Sequence, residues 1–358
     1  MKTIIQTSIP HYRSRVYEYA SGLLPGFRVI SGREYFTPNL STVAEGRPWC
    51  QIVVNKFLFG NKICWQYGII KNAIKDEIVL CELNPRILST ILLIILRKIL
   101  RRKSIFWGHL HGLGNRPLIL QLARNIIFSL SDGAVLYTDT DAKKLVLRGY
   151  LKPIWVTNNS CLSEADCTSN NGKQTDFVYV GRLVVQKKVS LLIHAFKHTL
   201  NRHPSARLQI VGDGLERENL ENLVNSLGLA HQVTFWGEIS DPLELKKIYV
   251  NCIAAVSPGY VGLSAIQALG NGIPILVADD EPHAPEIEVC VEGKTALFFT
   301  SGNPEALASV MISCLNNKLH WANCSEELAS IIRSKYTIES TGKALVSALE
   351  WGIENAYR

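Results

Sequence analysis

The sequence predicts an α/β protein built as two domains, each around a parallel sheet. Two observations predict it. Short apolar runs of strand length alternate, in both halves of the chain, with segments whose apolar residues recur at helical spacing. A polar stretch, residues 163–176 (SEADCTSNNGKQTD), free of aromatic and branched apolar residues, separates the halves. A chain of 358 residues also fits two domains of moderate size, each with its own core.

In the first half, residues 3–9 read as the opening strand and 15–24 as a helix, with short strands over 27–31, 52–54 and 78–81. A helix over 87–100 leads into a strand over 104–107 and then the loop GHLHGLGNRP. Pro117 opens the next helix, to about residue 130, and 134–137 is a further strand. In the second half, the strand 177–180 is broken by Gly181, and a helix follows from Val189. The strand 208–211 leads to a helix over 215–227 closed by Gly228. Then come strand 233–236, helix 242–250, strand 253–256, helix 263–269 and strand 273–277. Two such series describe twin Rossmann-like domains around a cleft. The expected division is 1–165, a linker over 166–176, a second domain over 177–335, and a terminal segment over 336–358. A helical pattern over 338–356 is long enough to cross back to the first domain.

The 38 Lys and Arg against 31 Asp and Glu give +7, a mild excess that favours anionic partners: a sugar nucleotide, an acidic membrane face or nucleic acid. Nucleic acid is the weakest of these, because the basic residues do not interleave with aromatic ones. Nine cysteines, an odd number without a CxxC or a pair at metal-ligand spacing, read as reduced and mostly buried thiols. The amino-terminal apolar run is too short for a secretory signal, so the expected location is the cytoplasm. A dinucleotide oxidoreductase is disfavoured because no GxGxxG follows the first strand.

The greasiest segment, ILSTILLIIL over 87–96, is about half of the roughly 20 residues a spanning helix needs. Arg97, Lys98, Arg101, Arg102 and Lys103 follow it. It is either a core helix with a solvated end or a peripheral surface resting on anionic lipid at the inner face of the plasma membrane, at roughly 1 kcal/mol per cation.

Three features of the second half point to phosphate. Gly181 and Arg182 directly follow a strand, with Lys187 five residues beyond, and the crevice outside the carboxyl ends of strands is where ligands sit in such sheets. Gly212-Asp213-Gly214 joins a strand to a helix, although glycines there also serve a tight turn. In SPGYVGLSAIQALGNGIP, residues 257–274, a helix starts just after a strand, so Gly262, Leu263 and Ser264 offer backbone N–H groups at its amino terminus.

GRLVVQK, IVGDGLERENLENLVNSLGLAHQVTFWGEI and SPGYVGLSAIQALGNGIPILVADD, in this order, resemble the carboxyl-terminal domain of glycosyltransferase family 4, the group 1 glycosyltransferases of GT-B fold. The similarity runs from about residue 177 to 317. IFWGHLHG, VLYTDTDAKKLVLRGY and VTNNS resemble the family's first half more loosely. The resemblance implies two Rossmann-like domains with parallel sheets facing across a cleft, and a carboxyl-terminal helix returning to the first. It implies retaining transfer of a sugar from a nucleotide-diphosphate sugar, without metal or cofactor, to a glycan or lipid-linked acceptor, as in cell-surface polysaccharide synthesis. Arg182 and Lys187 match the family's diphosphate pair, and His109 matches its donor-facing histidine, with His111 as the alternative. Gly181, Gly212, Gly214, Glu238, Gly262, Leu263 and Ser264 complete the expected donor side. Tyr12, Arg13 and His111 are expected on the acceptor side.

The chain departs from the family at two glutamates normally separated by seven residues, because Gly259 and Gln267 occupy those positions. Gln267 keeps an acceptor for a ribose hydroxyl, whereas Gly259 offers no side chain. Glu286 or Glu288 replaces the missing carboxylate, or the donor is held differently. The departure also leaves open a catalytically altered nucleotide-binding relative acting as a partner subunit. Asp139-Thr140-Asp141 spells a D-x-D, but before a helical pattern it reads as a helix cap and not as a metal site.

Overall fold

The computed structural model describes residues 1–37, 41–110, 126, 128–170, 172 and 175–354. The chain divides into two compact units, Met1–Ser160 with Ile338–Arg358, and Cys161–Thr337.

The first unit begins β1 (Lys2–Gln6), α1 (His11–Leu23), β2 (Phe27–Ser31) and β3 (Cys50–Ile52). An antiparallel hairpin, β4 (Asn55–Leu58) and β5 (Ile63–Gln66), and a short α2 (Ile69–Ala73) precede β6 (Ile78–Glu82). Then follow α3 (Leu88–Ile99), β7 (Lys103–Trp107), β8 (Gly133–Leu136), α4 (Asp139–Leu147) and β9 (Ile154–Val156). The main sheet is parallel, in the order β3-β2-β1-β6-β7-β8-β9. Its strand bodies read as near-continuous apolar runs because both faces are covered. Ile4, Val29, Leu80 and Ile105 pack with α1, and Ile5, Val79, Cys81 and Phe106 pack with α2 and α3.

Sequence periodicity missed the hairpin and α2, since β4 and β5 mix polar with apolar residues and the tip turns through Phe59 and Asn61 at positive φ. The helix expected over 117–130 lies mostly outside the described residues; 126 and 128–130 are helical.

The second unit runs β10 (Asp176–Val180), α5 (Val189–Leu200), β11 (Leu208–Val211), α6 (Arg217–Ser226), β12 (Val233–Gly237), α7 (Pro242–Tyr249), β13 (Cys252–Ser257), α8 (Leu263–Gly270), β14 (Ile275–Ala278) and β15 (Ala296–Phe299), and closes with α9 (Pro304–Asn316) and α10 (Lys318–Lys335). Its parallel sheet has the order β12-β11-β10-β13-β14-β15. The last helix, α11 (Ile338–Glu354), belongs to the first unit, where Leu345, Ala348 and Leu349 join the core around Val16, Tyr17 and Ala20.

The described residues of the stretch expected as a linker over 166–176, namely 166–170, 172, 175 and 176, instead belong to the second unit. Asn170 donates from Nδ2 to the Tyr249 carbonyl at 2.9 Å, Cys167 is buried, and Asp176 is the first residue of β10, accepting from Gln209 Nε2 at 2.9 Å. Polar composition misled here because these side chains satisfy buried polar groups, backbone for Asn170 and side chain for Asp176.

Arg97, expected in the basic end of α3, is fully buried. Its guanidinium donates to the carbonyls of Ala73, Ile74, Asp76 and Lys103 and to Ser104 Oγ, tying α2, α3 and β7 together.

Candidate functional site

In each sheet the chain moves outward to one edge and then returns to the other side of its first strand. That reversal opens a crevice at the carboxyl ends of the two strands flanking it. In the second unit these strands are β10 and β13. The segments that leave them are 181–188 and 258–262, so residues about 75 positions apart in sequence meet for a topological reason.

They meet at Tyr260. Arg182 Nη2 donates to the Tyr260 hydroxyl at 3.3 Å, and Lys187 Nζ donates to the Tyr260 carbonyl at 2.8 Å while lying 3.5 Å from the centre of its ring. Lys187 ends a short 3-10 turn, Val185–Lys187. Burial, with the charge of Arg182 beside it, brings the Lys187 ammonium down to about 8, and Glu286 pulls the other way. Two cations held this close are a site for a polyanion.

Gly259 explains how the turn comes so near. A Cβ built there would lie 2.4 Å from the Gln186 carbonyl oxygen and 3.0 Å from Lys187 Cα, so the backbone bearing Lys187 occupies the volume a glutamate would need. Gly262 then caps α8, whose first-turn amides lie next along the chain. Gln267 sits one helical turn after Leu263, partly exposed.

The loop carrying Arg182 is braced from β11. Leu183 N donates to the Asp213 carbonyl at 2.8 Å, and Gly212 can have no Cβ because the Gly181 carbonyl oxygen would be 1.9 Å from it. Gly214 N donates to Asp213 Oδ1 at 2.7 Å, and Asp213 also pairs with Arg217. These glycines therefore shape the support of the Arg182 loop. Glu238 stands exposed just after β12, two strands from β10.

The loop after β14 closes over the same segment. His283 accepts from Val261 N through Nδ1 at 3.0 Å, and its Nε2 lies 3.0 Å from the Ala278 carbonyl, which makes Nε2 the protonated nitrogen. Burial holds this imidazole below its ordinary value. Lys188 forms an ion pair with Glu281, which also accepts from Ser301. Glu286 is buried and its charge reaches Lys187, whereas Glu288 lines a separate pocket of about 300 Å³ with Lys294, Lys335 and Tyr336. Lys188 stands beside Lys187 in the sequence, but nothing there marked Tyr260, Glu281 or His283. Their role follows from contacts between segments far apart in the chain.

In the first unit the reversal falls between β1 and β6. Arg13, in the first turn of α1, donates to Gln6 Oε1 and to the Tyr137 hydroxyl, with its guanidinium carbon 4.7 Å from the centre of the Trp107 ring. Tyr12 flanks it at 5.7 Å. Glu82 ends β6 and accepts from Thr7 N at 3.0 Å and Thr7 Oγ1 at 2.8 Å. His109 is half-buried, its ring 4.6 Å from that of Tyr137, and burial pushes the Tyr137 phenol up. His111 lies outside the described residues.

The D-x-D does not cap α4 in the way its sequence suggests. Thr138 is the cap, accepting from Asp141 N at 3.0 Å, and Asp141 Oδ2 accepts from Leu110 N at 3.1 Å, fixing the backbone beside His109.

Residues 165–333 match the family model described as glycosyl transferases group 1. An uncharacterized glycosyltransferase of Methanocaldococcus jannaschii is 26% identical over 289 residues, covering 68% of this chain and 70% of its own. A second from the same organism is 32% identical over 151 residues, 40% of this chain and 38% of its own length. Among solved structures, HepE of Anabaena in complex with UDP superposes with a TM-score of 0.73 at 14% identity, over 98% of this chain and 99% of HepE. HepE has also been solved with UDP-glucose, at a TM-score of 0.67. The family match over residues 165–333, the related sequences and the shared fold together show a glycosyltransferase of GT-B fold whose second unit carries a group 1 glycosyltransferase domain.

Proposed function

We propose that the chain is a retaining glycosyltransferase that moves a sugar from a nucleotide-diphosphate sugar to a glycan or lipid-linked acceptor, without a metal, in cell-surface polysaccharide synthesis on the cytoplasmic side. The observation that carries this reading is the convergence of Arg182 and Lys187 on Tyr260 at the β10–β13 crevice, beside the start of α8. The UDP and UDP-glucose bound by HepE make a uridine nucleotide the first donor to test.

Breaking the bond between an anomeric carbon and a diphosphate leaves negative charge on the departing group while the sugar becomes cation-like. Fixed positive groups aimed at that charge lower the barrier, and loss of one typically costs on the order of 10² to 10³ in rate. Arg182 and Lys187 take this role, with the first-turn amides of α8 beside them. Gln267 accepts from the ribose, and Glu286 is the carboxylate that serves in place of one at Gly259. In the first unit His109 serves the donor sugar, while Tyr12, Arg13 and Glu82 read the acceptor.

A thermal-shift panel of nucleoside diphosphates and their sugars tests the reading. A ligand present at about 100 times its dissociation constant stabilises by about 2.7 kcal/mol. No shift with any of them removes the donor assignment. Gly259 and Gln267 favour one competing reading, a nucleotide-binding partner subunit without turnover. Stabilisation by a nucleotide sugar without its hydrolysis, under conditions where a related transferase hydrolyses it, decides for that reading.

A further inference from the structure

We propose that the face built from α3, α2 and the β4–β5 hairpin of the first unit docks on an anionic lipid bilayer. Leu88, Leu92, Ile95 and Ile99 of α3 are all exposed, Ile99 at 71%. Their spacing of four, three and four residues puts them on a single helical stripe. The outward stripe of a helix covering a sheet ordinarily carries charge; this one is wholly aliphatic, which marks an interaction surface. Phe59, 75% exposed, projects at the tip of the hairpin. The hairpin is fastened to the start of α3, where Gln66 N donates to Ser89 Oγ at 2.9 Å and Cys64 bridges Ile87.

Charge selects the partner. Residues 54–103 contain ten Lys and Arg against three Asp and Glu, so this segment alone accounts for the +7 of the whole chain and the remainder is neutral. The three carboxylates are engaged elsewhere: Asp76 with Arg28, Glu77 with the amino terminus and Glu82 with Thr7. Lys56, Lys62, Lys71, Lys75 and Arg101 are exposed. An apolar stripe bordered by unneutralised cations is complementary to an anionic interface, where each cation near the surface contributes roughly a fivefold gain in partition. A second copy of the chain is a poor occupant, because a two-fold contact would press this basic segment against itself.

No described helix is long and apolar enough to cross a membrane, so the contact is interfacial. The chain enters α3 from the carboxyl end of β6, the edge that bears Glu82 and Arg13. The inference rests on the proposed transferase reading only in that a lipid-linked acceptor gives the docking a purpose.

The test is co-sedimentation of the full chain with phosphatidylcholine vesicles, with and without phosphatidylglycerol, at low and high salt. Sedimentation is expected with the anionic vesicles at low salt only. The double substitution Ile95→Ser with Ile99→Ser, and separately the triple Lys71→Ser, Lys75→Ser and Arg101→Ser, should each lower bound protein by about tenfold or more. Donor hydrolysis in solution should stay unchanged in both variants, which also shows that they fold. Absence of low-salt sedimentation, or equal sedimentation of wild type and both variants, overturns the proposal. So does elution as a dimer that the Ile95→Ser, Ile99→Ser variant abolishes, since a second copy then covers the stripe. Sedimentation without donor hydrolysis leaves the docking intact and counts against the transferase reading alone.

Discussion

Lys187 donates to the carbonyl of Tyr260 at 2.8 Å and lies 3.5 Å from the centre of the same residue's ring. One residue therefore fixes the ammonium twice, through a hydrogen bond and through a cation–π contact worth about 0.5 to 2 kcal/mol. The Tyr260 hydroxyl also receives Arg182, so the cations are positioned before any ligand arrives. Preorganisation of this kind spares the cost of gathering charge during the reaction.

Arg182→Ala and Lys187→Ala should each lower kcat by about 10² to 10³. The exposed Arg182 should change unfolding free energy by no more than about 0.5 kcal/mol, because surface substitutions away from special features usually stay within that range. Steady-state kinetics and urea unfolding of the purified variants check both. Wild-type turnover in the two variants removes the leaving-group role.

The depressed Lys187 value makes two pH effects run in opposite directions. Its protonated form binds the diphosphate, so donor affinity should fall as pH rises through about 8, by about tenfold per unit well above that value. The ordinary value for lysine is 10.5, so between about 8 and 10.5 the unfolded chain holds more protons at this position than the folded one. The Lys187 contribution to unliganded stability therefore rises over that window, while below about 8 the full cost of burying the charge is present. Titration calorimetry with UDP and thermal melts, each against Lys187→Arg, measure the two. Arginine keeps its charge throughout, so its affinity profile should be flat. A flat profile in the wild type shows that Lys187 does not hold the diphosphate.

Restoring the family's glutamate should harm this chain. The Gln186 carbonyl would lie 2.4 Å from the Cβ of any residue at position 259. Gly259→Ala already forces the Val185–Lys187 turn outward and with it the Lys187 ammonium. Loss of stability of about 1 to 3 kcal/mol is expected, the usual cost of overpacking, together with weaker UDP binding. Gly259→Glu should be at least as damaging. Recovery of higher turnover in Gly259→Glu contradicts the close approach of turn and strand end.

Much of this arrangement was legible in the sequence. Strands such as Phe27–Ser31 and Leu208–Val211 appear as mostly apolar runs with the observed bounds, because a strand covered on both faces is predominantly apolar. Arg182 and Lys187 stood out by following a strand directly. Tyr260 did not, since an aromatic residue in a loop carries no periodic signal and its partners come from β10, on the other side of the crevice. The stretch 166–176 misled for a related reason: Asn170 and Asp176 are polar because they satisfy buried groups, and composition cannot distinguish that from solvation. In the sequence Arg97 is indistinguishable from the solvated or lipid-facing cations beside it, because only the fold shows the five oxygen acceptors around it.

Arg13 offers a test confined to the first unit. Its guanidinium spans Gln6 and Tyr137 while lying over Trp107, a planar fork whose geometry an ammonium cannot copy. Arg13→Lys keeps the charge and loses the fork, so it should raise the acceptor KM by about tenfold or more while leaving UDP-sugar hydrolysis and the UDP-induced thermal shift near wild type. Arg13→Met should act more strongly, because Gln6 Oε1 loses its charged donor in a buried place. Competition by free acceptor analogues, measured in the two variants, separates recognition from folding. Equal losses of donor hydrolysis and acceptor use would place Arg13 in the general stability of the first sheet and not in acceptor recognition.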